Sequence, residues 1–106
     1  MKKMTFFARF VDDILAERKT ITIRDTSEAN LHAGDILDVS TLEEGRWFCR
    51  LKVLSITETK LADLSPLHAA QENMALPELK ALIKEIYPEQ ELFYVIQFGL
   101  LTDITQ

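Results

Sequence analysis

The densest run of chemistry-bearing side chains is Arg18-Lys19-Thr20-Ile21-Thr22-Ile23-Arg24, with three cations and two hydroxyls in seven residues. A hydroxyl near an amine offers a nucleophile and a base, provided burial or a neighbouring cation brings the lysine toward neutrality. Arg24 is the nearest cation in sequence that could do this. A solvated strand edge with ordinary surface charge would carry the same residues, and composition alone favours that plainer account. Glu72 is the second candidate. It falls at the expected end of a short helix, where the negative end of the helix dipole raises a carboxyl pKa and suits it to general-acid work. Its plainer account is a surface glutamate.

Other reactive types carry less. His32 and His68 stand alone, with no partner at a useful spacing, and read as surface or structural. Cys49 lies mid-strand among apolar residues and reads as a small buried hydrophobe. The chain holds no glycine-rich phosphate loop and no Gly-x-Ser-x-Gly elbow, which removes support for hydride transfer and for serine hydrolysis. It also lacks the His-x-Glu and Cys-x-x-Cys of a zinc deaminase. Two histidines and one cysteine supply few metal ligands. We therefore expect neither a metal nor a cofactor.

The elements that must position these residues follow from periodicity. Phe6, Phe7, Phe10, Val11, Ile14 and Leu15 recur at helical spacing and predict a helix from Phe6 to Ala16, with Thr5 as its cap and the phenylalanines in the core. Thr20 to Arg24 alternates and is rich in β-branched residues. It predicts a half-buried strand with Ile21 and Ile23 inward and Thr20, Thr22 and Arg24 on an exposed face. Asp25-Thr26-Ser27-Glu28 reads as a loop, and Ala33-Gly34-Asp35 as a turn into a strand from Ile36 to Thr41. After a hairpin-like turn at Glu43-Glu44-Gly45, a strand runs from Trp47 to Thr57, with Trp47, Cys49, Leu51 and Val53 on one side. Ser65-Pro66 opens a short helix reaching about Asn73, with Ser as N-cap. Pro77-Glu78 opens another, whose apolar face is Leu79, Leu82, Ile83 and Ile86 and which stops at Tyr87-Pro88. Leu92 to Leu101 is a last strand. Helix, strands, two helices, strand is the order of an α+β domain around a curled, largely antiparallel sheet, with a small open barrel as its closure.

The chain has 106 residues, enough for a single domain spanning 1–106. Hydrophobic residues make up 47% and charged residues 27%, which rules out disorder over most of the length. The lone cysteine cannot close an internal disulfide, and no apolar run approaches the ~20 residues that span a bilayer. Arg9, Asp12 and Asp13 interrupt any signal-peptide core. The expectation is a soluble, cytoplasmic protein with no membrane partner. A net charge of −5 argues against broad binding to a phosphate backbone, though not against a local basic pocket.

The same residues carry a resemblance. Thr5-Phe6-Phe7, Arg9-Phe10, Asp13 to Ala16, Arg18 to Asp25, Gln71-Glu72-Asn73 and Phe93 to Ile96 resemble the small bacterial single-domain ASCH proteins, in particular the N(4)-acetylcytidine amidohydrolases. The likeness runs from Thr5 to Phe98 in order. The superfamily motif, Gly-x-Lys with Arg five residues after the lysine, is weak alone; Thr22-Ile23-Arg24-Asp25 together with Gln71-Glu72-Asn73 is far more specific. The resemblance implies a PUA-like small β-barrel with flanking helices. It also implies hydrolysis of the acetyl amide on the exocyclic nitrogen of cytidine. Its catalytic lysine, threonine and glutamate fall on Lys19, Thr22 and Glu72.

Arg24 and Tyr94 are the candidates for holding the substrate, with Phe7 a further stacking partner unless it is core. One departure stands out: Glu17 occupies the motif's glycine. If that position needs a positive φ, glutamate is strained there, and it would set a carboxylate near Lys19. In a regular strand Lys19 and Thr22 point to opposite faces, so they meet only if the chain turns around Glu17 to Thr20. A nucleoside is the expected partner. Modified RNA stays open, as do an RNA-binding module, a ribonuclease using the same pocket and a purely structural or regulatory domain. The sequence is silent on oligomeric state.

Overall fold

A computed structural model describes residues 2–25 and 30–101, so most of the loop expected at Asp25 to Glu28 lies outside the described residues. Five strands form one curled sheet in the order β1-β3-β4-β5-β2. The strands are β1 (Lys2–Phe6), β2 (Ile21–Arg24), β3 (Ile36–Thr41), β4 (Trp47–Lys60) and β5 (Leu92–Leu101). β1 runs parallel to β3, and the other neighbours are antiparallel. The helices are α1 (Val11–Leu15), α2 (Pro66–Gln71) and α3 (Leu76–Ile86). The half-barrel with flanking helices is the expected α+β architecture. None of the helices is long and apolar enough to cross a membrane among the described residues.

The first element differs from its expectation. Lys2–Phe6 is a strand, followed by a 3-10 turn at Ala8–Phe10 and only then by the five-residue α1. Met4 and Phe6 are buried and alternate with exposed Lys3 and Thr5, a period of two that the helical spacing of the phenylalanines masks. What decides the matter is pairing with Leu37 to Thr41, a partner far along the chain. Thr5 is therefore a strand residue and not a cap. β4 continues past Thr57 to Lys60. Its side-chain order also slips: Cys49, Leu51 and Val53 are buried, but Trp47 is 56% exposed. A register shift against Val39 and Ser40 turns Trp47 out, and its indole nitrogen donates to Asp38.

Both faces of the sheet are covered. Inside the curl lie Met4, Phe6, Ile14, Leu37, Val39, Leu51, Val53, Ile96 and Phe98. On the outer face Ile21, Ile23, Phe93 and Val95 pack on Leu64, Ala69, Leu79 and Ile83 of the helical segment. β5 thus serves one core with Phe93 and Val95 and the other with Ile96 and Phe98. A second register shift, between Val53 and Ser55, kinks β4 beside this changeover and adds curl. The face of β2 expected to be exposed is consequently enclosed: Thr22, opposite Ile96, is 4% exposed.

Candidate active site

The chain ahead of β2 makes a sharp corner. Helix α1 closes with Ala16 N–H on the Asp12 carbonyl and Glu17 N–H on that of Ile14. Glu17 then takes φ 61°, the left-handed conformation that usually belongs to glycine at a helix end. A side chain there costs about 1–2 kcal/mol. Arg18 and Lys19 both donate their N–H groups back to the Asp13 carbonyl, at 2.8 and 3.1 Å. This reversal throws the Lys19 side chain under the sheet edge, where it is 3% exposed. The turn that the Lys19–Thr22 meeting requires is thereby present: Lys19 precedes the regular strand, and both side chains line one cavity.

Glu72 comes from the other side of that cavity. Ser65 caps α2, sharing a reciprocal box with His68, which gives that histidine a structural place. The helix stops at Gln71, shorter than expected, because Asn73 adopts φ 58°. Glu72 is its C-cap residue and is 5% exposed. Three consecutive residues dock on the Lys19 corner. The Gln71 carbonyl accepts from Thr20 N–H at 2.8 Å, Glu72 Oε1 accepts from Lys19 Nζ, and Asn73 Nδ2 donates to Asp13 Oδ1 at 3.2 Å. Lys19 Nζ also donates to the Ile21 carbonyl at 2.9 Å.

Burial pushes the Lys19 ammonium below its ordinary range. The Glu72 carboxylate opposes this, the Arg24 cation adds to the lowering, and Asp13 opposes it more weakly. Glu17 is exposed and is not among the main groups that act on Lys19, whose bonded anion is Glu72. Cys49, by contrast, lies in the core, and burial raises its thiol to about 11, which keeps it protonated and inert.

Arg24 is held on three sides. Its Nε donates to Thr22 Oγ1 at 2.9 Å, its Nη2 donates to the Thr5 carbonyl at 2.7 Å, and its guanidinium lies over the Phe6 ring at 4.9 Å. A guanidinium only donates, so Thr22 Oγ accepts from it and keeps its own proton for another partner. The cavity encloses about 190 Å³ between β1, the 3-10 turn, β2 and α3. Lys19, Thr22, Arg24 and Glu72 supply its polar groups. Phe6, Phe7, Phe10 and Tyr87 give it aromatic walls, and the exposed Leu42 and Ile86 stand at its rim. The cavity thus sets an amine, a hydroxyl, a guanidinium and a carboxyl group against aromatic walls.

Tyr94 is not brought to the cavity. It sits opposite Arg24 on β5, but its hydroxyl donates to Glu58 at 3.4 Å and it is absent from the cavity wall. The aromatic wall of the cavity is made instead by Phe6, Phe7, Phe10 and Tyr87, and of these the sequence offers only Phe7 as a stacking candidate. Tyr87 is displayed there as the residue that ends α3.

No family model matches the chain. Among curated proteins it is 57% identical over 96 residues to the N(4)-acetylcytidine amidohydrolase of Vibrio vulnificus, covering 91% of this chain and 92% of that one. It is 50% identical over 101 residues to the protein of the same name from a Shewanella species, covering 95% and 98%. Among solved structures the ASCH domain from Lactobacillus crispatus superposes with a TM-score of 0.78 at 14% identity, over 93% of this chain and 79% of that one.

Proposed function

Since the chain belongs to the N(4)-acetylcytidine amidohydrolase family, we propose that its cavity hydrolyses the acetyl amide of N(4)-acetylcytidine to cytidine and acetate. The observation that carries this reading is the buried Lys19–Glu72 contact facing an aromatic cavity that also presents Thr22.

The amide is attacked by Thr22 Oγ, which Arg24 orients. A threonine hydroxyl needs a base at the moment of attack, and a protonated lysine cannot serve. The pair resolves this internally. Moving one proton from Lys19 Nζ to Glu72 Oε1 turns an ion pair into a neutral amine and a neutral acid, with no exchange with solvent. Burial favours that neutral form. Lys19 then takes the Thr22 proton as the carbon–oxygen bond forms. Glu72 gives its proton to the departing cytosine nitrogen as the carbon–nitrogen bond breaks. An acetyl ester on Thr22 remains, and water cleaves it to acetate. Arg24 is the cation nearest the oxyanion that develops at each attack. The scheme uses no metal.

The test is release of cytidine from N(4)-acetylcytidine by the purified protein in the presence of a chelator, followed by chromatography. Wild type releases cytidine, while Lys19→Ala and Thr22→Ala release none above background. No release from folded wild type overturns the reading and moves the pocket toward RNA binding.

A further inference from the structure

Asp13 touches both corners of the proposed site. Its carbonyl accepts the N–H groups of Arg18 and Lys19, at 2.8 and 3.1 Å. Its carboxylate Oδ1 accepts from Arg18 Nε at 2.9 Å and from Asn73 Nδ2 at 3.2 Å. The two segments it joins are 60 positions apart between Asp13 and Asn73. Each contains a left-handed residue other than glycine, Glu17 at φ 61° and Asn73 at φ 58°, within two positions of a residue of the site. Left-handed corners of this kind persist only where surrounding bonds over-determine them. Lys19 lies two residues beyond one corner and Glu72 one residue before the other. The register of their side chains therefore depends on what holds the corners together.

We propose that Asp13 is a positioning residue, a latch that sets Lys19 against Glu72 by binding the backbone ahead of one and the side chain beyond the other. This rests on the amidohydrolase reading only for its consequence in catalysis; the geometry of the latch stands without it. Asp13 does not line the cavity that holds Lys19 and Thr22, and lies instead in the depression beside it. It acts through alignment, and a displacement of about 1 Å between a base and its partner costs on the order of 100-fold in rate. It also adds a negative charge near Lys19. The charged groups acting on Lys19 are Glu72 from the end of α2, Arg24 from β2 and Asp13 from α1, with the rings of Phe6 and Phe10 packed on its amine.

Two substitutions separate alignment from charge. Asp13→Asn keeps an oxygen that accepts from Arg18 and Asn73 but loses the charge. Asp13→Ala loses both. Because the active form of the Lys19–Glu72 pair holds one shared proton, activity is bell-shaped in pH, and its limbs belong to the pair. An anion favours the more protonated states, so D13N shifts both limbs to lower pH while holding kcat at the optimum within a few-fold. D13A lowers kcat about 10–100-fold with KM little changed. Substrate-free protein gives an independent readout: labelling of Lys19 by an amine-reactive reagent, measured by mass spectrometry against exposed Lys52 in the same molecule. D13A raises that ratio well beyond the small rise that loss of the charge alone gives D13N. Asn73→Gly, which keeps the left-handed backbone and removes the side-chain bond, gives the same result if D13A does not fold. An unchanged labelling ratio in D13A or N73G, or a loss expressed in KM alone, overturns the latch. If wild type shows no hydrolysis while the labelling ratio responds as stated, the substrate reading fails and the latch stands.

Discussion

Lys19 and Glu72 lie together at 3% and 6% side-chain exposure, and a buried ion pair is a poor way to stabilise a small domain. Its desolvation offsets most of the attraction, and apolar replacements of similar volume often hold a fold as well or better. The pair is explained if it is kept for chemistry. Replacing both partners, Lys19→Met with Glu72→Leu, is expected to leave stability unchanged or to raise it by about 1–4 kcal/mol while abolishing hydrolysis. Lys19→Met alone strands a buried carboxyl group and is expected to cost about 3–5 kcal/mol. Denaturant melts of the three proteins beside activity assays decide it. A double variant less stable than the single one would show that the pair is structural. Lys19 and Thr22 stand out in the sequence as part of a run of cations and hydroxyls and Glu72 by its place at a helix end, but only the family resemblance lifts them above ordinary surface residues. Their mutual approach could not be read there, since it depends on corners that no periodicity encodes. Tyr94 is a sequence candidate for its aromatic ring within a segment that carries the resemblance; register sends its hydroxyl to Glu58, and strand alternation carries no information about which end of a face a cavity occupies.

Elements were legible where their partners are near in sequence or their pattern is unambiguous. The last strand, Leu92–Leu101, and the amphipathic α3 follow from their own residues. β1 did not, because its strand character comes from parallel pairing with β3 across more than thirty positions, against a local helical spacing of phenylalanines. The corner after α1 was legible in part: Glu17 stands where glycine is expected, and its φ of 61° shows why. Glu17 is exposed and lies outside the cavity wall, so its strain serves no contact there. Glu17→Gly is expected to relieve most of the 1–2 kcal/mol left-handed penalty, less the entropy glycine adds to the unfolded chain. A net gain of about 1 kcal/mol raises the melting midpoint by about 4 °C in a domain of this size. Calorimetry checks the shift. A lower midpoint, or a fall in kcat, would mean that the Glu17 side chain contributes something beyond its corner.

At the scale of the whole molecule, the cavity occupies the seam where the curled sheet fails to close. β1 and β2 are the two edges of the strand order, and the gap between them is walled by Thr5 and Phe6 on one side, Thr22 and Arg24 on the other, and α3 across it. Arg24 straps the seam by donating to the Thr5 carbonyl, so the residue that orients Thr22 also holds the edges together. The charge around this seam bears on what can enter. Its lining holds two basic groups and one acid, while the depression beside it carries Asp13, Glu78 and Glu85 against a single Arg9, on a chain of net charge −5. A phosphate backbone laid across the mouth would meet that acidic flank, whereas an uncharged nucleoside would not. A ligand bound through several phosphates loses affinity steeply between about 50 and about 200 mM salt, by counterion release. KM for N(4)-acetylcytidine is expected to change less than about twofold over that interval, because no counterions are displaced from an uncharged substrate. Titrating a short acetylcytidine-containing RNA in parallel separates the partners. Tighter binding of the RNA than of the nucleoside at low salt, lost steeply as salt rises, would assign the seam to nucleic acid.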